Sequence, residues 1–523
     1  MTTLTAPDVA VATRGTGASR ARRLAELLSD PWRALGVAVV LLVAVVGLDA
    51  LGDPDVWWHL RLGQWIVDNH RIPTTELFSY TAHGHPLLAH EWLSDTLFAL
   101  LAGAGGLFLV ALVMGAVAWS AMLATALRGR ARGAGPLALA LGLALGAKAA
   151  QPVLGTRPQV FTVALVCWTL WLAESYLRDG GRRRWLLPPL FLLWANLHAG
   201  FLAGLGILTL LLAVETLRRR LQPRADIAAD HLRGLAAAIG ASVLAACVNP
   251  AGPLLYRFAV MTTATEGQKS IIEWQSPNFH DPGMWALLAL LVTLAALPAL
   301  GGRLDVRDAT LAAAGTAMAL LAVRNTAVCV VLVTPAWMAM AGEVGRRHVP
   351  LRTRARAGPI MVGATVIGTA LLAVTYAGLR TQTAASSTGV AAAYPSCATT
   401  VLLRAPESQR VFTSYGTGGF VIDRLWPHAA VYEYGESISL GTTVFADYLR
   451  IAAGAQTSPT AMQLLDASRT TAVLFPKSDL TAELDAAPGW LRVLDDHGML
   501  LYVRGDASWA AGPACSSSAA HTG

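Results

Sequence analysis

The sequence predicts a polytopic α-helical membrane protein that carries a C-terminal extracytoplasmic α/β domain. Three observations lead there. Of 523 residues, 54% are hydrophobic and only 14% charged, against about 25% charged in a soluble globular domain. The apolar residues fall in uninterrupted runs close to the roughly 20 residues that one bilayer crossing needs. From residue 379 onward those runs give way to short β-rich segments, turn signals and helical periodicity.

Residues 1–32, rich in Ala, Thr and Arg, read as a disordered cytoplasmic tail. Apolar runs near 33–51, 105–128, 136–150, 159–176, 185–197, 200–217, 231–248, 284–300, 306–323, 326–342 and 358–378 give about eleven transmembrane helices. The transmembrane domain is thus 33–378, with a large first outer loop at 52–104. The runs at 136–150 and 185–197 are short, and Pro188 and Pro189 bend the second or make it partly re-entrant. No small-residue cleavage site separates the first run from the polar motif after it, so that run is expected to be retained.

Loops assigned to the inner face hold Arg128, Arg130, Arg132, Arg182, Arg183, Arg184, Arg218, Arg219 and Arg220, whereas the outer loops are acidic on balance. That asymmetry places the N-terminus in the cytoplasm of a bacterial cell and, with an odd number of crossings, residues 379–523 outside. The net charge of +7 therefore belongs to a membrane face, and no nucleic-acid partner is implied.

In the terminal domain, 410–414, 429–434, 471–475 and 499–503 read as strands, and 442–453, 460–468 and 479–486 as helices. Gly416, Gly418 and Gly419 read as a turn, since neither GxGxxG nor a Walker pattern is present. Cys167, Cys247 and Cys329 lie in spans as small packed residues. Cys397 and Cys515 bracket the outer domain, which makes them a disulfide candidate in an oxidising compartment.

Chemistry-bearing residues concentrate in the first outer loop, which begins Asp53-Pro54-Asp55-Val56-Trp57-Trp58-His59 and ends with His90-Glu91-Trp92-Leu93. Pro54 suits the first turn of a helix capped by Asp53, which puts Asp55 and His59 one turn apart on one face. A carboxylate at the mouth of an apolar bundle loses hydration, its pKa rises, and it can serve as a general base. The same residues also fit a plain reading, a helix cap followed by an interfacial Trp pair.

The order Asp-x-Trp-Trp-His-Leu-x-x-Gly, Ile72-Pro73, Phe78-Ser79-Tyr80-Thr81, His90-Glu91-Trp92-Leu93, Trp194-Ala195-Asn196-Leu197-His198, Asn249-Pro250-Ala251-Gly252, Ile272-Glu273-Trp274 and Arg324-Asn325 resembles bacterial membrane proteins related to GT-C-type glycosyltransferases. That superfamily includes the dolichyl-phosphate-mannose protein mannosyltransferases. The resemblance implies an enzyme that takes a sugar from a polyprenyl-phosphate carrier in the lipid bilayer and gives it to a lipid, glycan or protein acceptor. It implies Asp55 as the catalytic carboxylate, with Asp53 second, His59 beside it, and Glu91 as a further acid that orients the acceptor or helps a divalent metal such as Mg or Mn. Of the cations at the outer ends of the spans, Arg157 and Arg324 are preferred for the donor phosphate, with Lys269 a third. A guanidinium holds phosphate oxygens in a bidentate fork, although a cation there also fits snorkelling to the headgroups. His90, Asn196, His198, Glu273 and Trp274 are candidates for sugar or acceptor contact; an interhelical hydrogen bond is the other reading of Asn196 and His198. The family resemblance leads one to expect an Asp-Gly-Arg-like element in the outer domain, where this chain has Glu433-Tyr434-Gly435-Glu436.

Two other classes fit the composition. One is a transporter or flippase for a lipid-linked glycan, which the scarcity of acids within the spans disfavours in its ion-coupled form. The other is a non-catalytic scaffold for envelope assembly, which would tolerate replacement of every polar residue in the first loop.

Overall fold

The computed structural model of the chain describes residues 53–221, 228–262, 271–348, 394–436, 440–505 and 508–510. Helix α1 (Val56–Asn69) opens the first loop. The Asp53 Oδ1 accepts the backbone N–H of Asp55 at 3.1 Å, so this side chain tethers the start of the helix while Pro54 occupies a position that has no N–H to satisfy.

Helix α2 (Trp92–Ala131) combines two pieces. Gly105 and Gly106 break the helical geometry, Gly106 with φ +66°, a backbone region that costs a Cβ-bearing residue dearly. The part before the break packs against α1; the part after it belongs to the apolar bundle. The bundle continues with α3 (Pro136–Ala150), α4 (Gln159–Asp179), α5 (Leu187–Leu197), α6 (Phe201–Leu221), α7 (Ala229–Ala245), α8 (Leu254–Thr262), α9 (Trp285–Ala296), α10 (Val306–Leu321) and α11 (Thr326–His348).

Five described helical stretches are long and apolar enough to cross a membrane: Trp92–Ala131, Gln159–Asp179, Phe201–Leu221, Pro282–Leu300 and Val323–His348. The chain is a multi-pass membrane protein. Helices α5, α7 and α10 fall short of that length, and α3 belongs to a shorter apolar stretch, Leu137–Val153. The expected runs 33–51 and 358–378 lie outside the described residues, as does Lys269.

At the end of the bundle away from the first loop, the inner end as against the outer end beside that loop, buried ion pairs hold the helices together. Arg128, 1% exposed, spends its Nε and Nη2 on Glu174 and its Nη1 on the Val331 carbonyl. Arg132 bridges Glu174 and Asp308.

The C-terminal unit is α/β: α12 (Ser396–Leu402), β1 (Gln409–Thr413), α13 (Tyr415–Leu425), β2 (Ala429–Val431), α14 (Thr442–Ala452), α15 (Ala461–Ala467), β3 (Ala472–Pro476), α16 (Asp479–Ala486), β4 (Trp490–Asp496) and β5 (Met499–Arg504). The sheet order is β2-β1-β3-β5-β4, with β1 parallel to both neighbours and the β3, β5, β4 side antiparallel. Strand β4 was not anticipated from the sequence; exposed Leu491 and Arg492 stand side by side, followed by half-buried Val493 and Leu494, so the strand lacks the period-two pattern that would reveal it. Cys397 is disulfide-bonded, and Cys515 lies outside the described residues.

Two readings of the sequence are corrected here. Gly416, Gly418 and Gly419 stand in helix α13, not in a turn. Their absent side chains let α13 sit on the start of α1: a Cβ at Gly419 would come within 2.9 Å of the Pro54 carbonyl. The Trp57–Trp58 pair, read as an interfacial anchor, is buried at 2% and 5% exposure. Trp57 meets Phe420 and Tyr394 edge to face, and Trp58 meets Tyr434.

The first loop is also stitched to the sheet edge. Tyr80 donates its N–H to the Val431 carbonyl, and Val431 donates to Phe78, each at 3.0 Å. The Thr81 hydroxyl donates to the Tyr432 carbonyl at 2.6 Å. The buried Glu76 carboxylate accepts from the backbone N–H groups of Phe78 and Ser79 and from the Tyr434 hydroxyl. These bonds satisfy groups that would otherwise be costly to bury.

Candidate active site

The start of α1, the end of the first loop, and the outer ends of α4, α6, α8, α10 and α11 surround a cavity of about 440 Å³. Asp55, His59, His90, Glu91, Arg157, His198, Glu273, Trp274 and Arg324 all line it, together with Tyr415, Gly435 and Glu436 of the α/β unit. Its other wall is apolar, formed by Leu202, Ala203, Phe258, Ala259, Met318 and Val328.

Arg157 is the hub of its acidic side. Its Nε lies 2.5 Å from Asp53 Oδ2, and its Nη1 lies 3.0 Å from Glu273 and 3.8 Å from Asp55. Those three carboxylates hold its pKa above even the ordinary guanidinium value, despite burial. Asp53 is 3% exposed and meets Arg157 and the backbone N–H of Asp55, so it orients Arg157 and the start of α1. Asp55 does reach the wall. Burial, reinforced by the charge of Asp53 and opposed by Arg157 and His59, pushes its carboxyl up to about 6.

Arg324 stands opposite. Its guanidinium lies 4.2 Å from the centroid of the Trp274 ring, and among the described residues it has no ion-pair partner. Its position is set by the backbone: Gln159 donates to the Arg324 carbonyl at 2.7 Å, and Val323 donates to Gln275 at 2.8 Å. A half-buried guanidinium without a carboxylate partner calls for an anion.

Glu91 gathers three imidazoles. The Nε2 atoms of His198, His90 and His59 lie 3.4, 3.5 and 3.8 Å from its oxygens. Burial alone would raise its pKa, but cationic His90, with His198 and His59, holds the carboxyl well below the usual range. Burial works against His90 too, yet Glu91 raises it to about 9. His198 goes the other way, to about 4, because burial and the charge of Arg324 outweigh Glu91; it shares a hydrogen bond with Thr162 at 2.8 Å. The group is therefore one ion pair, His90 with Glu91, one neutral imidazole, His198, and a third imidazole, His59, whose other nitrogen is taken by Asp95.

His59 does not turn toward Asp55 as the spacing suggested. Its ring stacks on Trp58, and its Nδ1 shares a 2.6 Å hydrogen bond with Asp95. Asp95 was missed, although it stands one turn past Glu91 on the same helix, the spacing that brings two acids to one face.

Asn196 leaves the site. Its Oδ1 accepts from Trp92 at 2.9 Å and its Nδ2 donates to the carbonyls of Leu192 and Val248, so it braces helices and does not line the cavity. Tyr415, Gly435 and Glu436 were not anticipated, since only the packing of the α/β unit brings them there. Gly435 is flush with the candidate base: a Cβ would stand 2.5 Å from Asp55 Oδ1 and 2.5 Å from Trp58 Nε1. No group of three or more His, Cys, Asp or Glu among the described residues converges to hold a metal ion. Asp55 faces Arg157, and Glu91 is taken up by imidazoles, so the expected Mg or Mn finds no fitting donor set.

No family model and no curated relative matches the sequence. The fold, however, is similar to that of the oligosaccharyltransferase of Archaeoglobus fulgidus tethered with an acceptor peptide containing the NVT sequon, with a TM-score of 0.57 and 12% identity over 90% of this chain and 74% of that one. It is also similar to ArnT of Cupriavidus metallidurans bound to undecaprenyl phosphate, with a TM-score of 0.55 and 14% identity over 92% of this chain and 99% of that one. The chain is a multi-pass membrane protein with the GT-C fold that these two glycosyltransferases share.

Proposed function

We propose that this chain is an inverting membrane glycosyltransferase whose donor is a sugar on a polyprenyl phosphate, such as undecaprenyl phosphate. In this reading the N-terminus is cytoplasmic, about eleven helices cross the bacterial plasma membrane, and the cavity and the α/β domain lie on the outer face. The observation that carries it is the meeting of Asp55, Glu91, Arg157 and Arg324 in one cavity with an apolar wall on α6, α8 and α10.

The chemistry follows from the positions. Asp55 takes the proton of an acceptor hydroxyl. The acceptor oxygen attacks the anomeric carbon from the side opposite the phosphate, the carbon–oxygen bond to phosphate breaks, and its electron pair leaves on the polyprenyl phosphate. Arg324, stacked on Trp274, takes the charge that develops there, with Arg157 beside it. The polyprenyl tail stays along the apolar wall, so the head arrives oriented in a site with little water. Glu91, fixed by His90, accepts from a sugar or acceptor hydroxyl. Transport or scaffolding would leave this ring of charges without a use.

The test is transfer from radiolabelled polyprenyl-phosphate sugars by purified protein, beside Asp55→Asn. Transfer by the unaltered chain and its loss in the variant is the expected result; equal turnover by both removes Asp55 as the base.

A further inference from the structure

A second cavity, of about 240 Å³, lies at the opposite end of the bundle, and Arg132, Arg178, Arg218 and Arg307 line it with one carboxylate, Glu174. These arginines come from the ends of α2, α4 and α6 and the start of α10. They differ in what they have left to give. Arg132 is spent, with Nε, Nη1 and Nη2 all donating to Glu174, Asp308 or the Arg128 carbonyl.

Among the described residues the other three are not. Arg178 engages only its Nε, with Asp179 at 3.3 Å. Arg218 engages only its Nη1, with Asp305 at 3.0 Å and Glu215 at 3.4 Å. Arg307 donates its Nε to Asp308 at 3.2 Å, while its Nη1 and Nη2 stay 3.6 and 4.0 Å from Glu215 and Asp305, beyond hydrogen-bond reach. The carboxylates behind the wall hold these guanidinium groups in place without using up their donors. Several planar forks around one opening match the oxygens of a phosphate.

We infer that this cavity binds the phosphate headgroup of an anionic phospholipid from the leaflet on the arginine-rich side. The surface beside it suits acyl chains. On α6, Leu217 and Leu221 flank Arg218 and are 53% and 71% exposed, and Leu177 forms part of the cavity wall. Basic pockets between transmembrane helices on such a face hold anionic headgroups. This site is independent of the glycosyl-transfer reading.

The experiment uses the full chain in detergent, with native mass spectrometry and thermal unfolding. The probes are phosphatidylglycerol, phosphatidylcholine and inorganic phosphate. Phosphatidylglycerol is expected to remain bound and raise the melting temperature, while the other two do neither. Arg178→Gln with Arg218→Gln is expected to weaken phosphatidylglycerol binding about tenfold or more. Arg346→Gln, at the same end but bonded to the Gly133 carbonyl away from the cavity, is expected to leave it unchanged. Arg178→Gln alone keeps the test open should the double variant not fold, because Arg178 meets only the exposed Asp179. Phosphatidylglycerol binding undiminished in these variants overturns the site. Equal response to phosphatidylcholine overturns its charge selectivity, and equal response to inorganic phosphate overturns the lipid as its source.

Discussion

The two ends of the helical bundle bury arginine in opposite ways. At the inner end Arg128 is enclosed, and each of its three nitrogens donates to Glu174 or to the Val331 carbonyl. At the outer end Arg324 is laid on Trp274 with no ion-pair partner among the described residues, and it faces open space shared with Asp55 and Glu91. Desolvating a guanidinium costs several kcal/mol unless a partner compensates. Arg128 is compensated from within the fold, and its role ends there; Arg324 is left for something that arrives. A buried charge thus signals a site less by being buried than by keeping donors unspent.

The contrast breaks most visibly in substitutions. Asp55→Asn keeps the shape of the outer cavity and removes its base, so transfer should fall about 10²–10⁴-fold with the melting temperature unmoved. Arg128→Gln should do the reverse: Glu174 loses its closest partner, stability in detergent drops by about 3–5 kcal/mol, and the protein that remains folded turns over normally. Arg324→Gln belongs with Asp55→Asn. It should lower the rate about 10²–10³-fold without loosening the fold, since no carboxylate among the described residues pairs with it. An Arg324→Gln protein that melts early while retaining its rate would place Arg324 with the inner arginines and remove it from the site.

The inner and outer ends were also unequally legible in the sequence. Apolar run length shows where the bundle is, because a crossing has a length set by the bilayer and not by packing. The polar loop after the first run draws notice for the same reason, as His59, His90 and Glu91 have no cause to crowd there structurally. Pairing is harder to read. Nothing local separates Arg324 from Arg128, and only the fold shows that Glu174 faces one and Trp274 the other.

Helix α13 stayed hidden behind its glycines, each of which costs about 1 kcal/mol in a helix interior. Their benefit is a close approach to Pro54 that exists only once the two units meet. Asn196 looked like a cavity residue and is a brace, because its partners at Trp92 and Val248 are far away in the chain. Asp95 could have been found from its spacing to Glu91.

Gly435 tests whether the α/β unit helps to set the outer site. A methyl group there meets the Asp55 carboxylate and the Trp58 indole at once, and overpacking of that kind costs about 1–3 kcal/mol. Gly435→Ala should therefore slow transfer about 10–100-fold, the same energy placed on the reacting geometry, with donor KM nearly unchanged because Arg324 is untouched. Gly416→Ala serves as control in the same unit, since a Cβ there meets only the Pro54 ring at 3.8 Å, an ordinary contact. A rate loss shared equally by both would mean that the unit is merely destabilised.

The smallest effect expected is in pH dependence, and it separates the two carboxylates of the outer cavity. Asp55 acts as a base only when ionised, and its pKa lies near 6. The rate should therefore hold at neutral pH and fall about tenfold per unit below 6. The Glu91–His90 pair titrates on the other side. Glu91 raises His90 from its ordinary 6.5 to about 9, so its cation is present at neutral pH. What it contributes to order in the loop is complete below its unfolded pKa and is lost as pH climbs through 9. A shallow alkaline decline should follow in the unaltered chain and vanish in His90→Gln, whose acid limb stays where it was. An alkaline decline that survives this substitution would show that Glu91 is held by His59 and His198 alone.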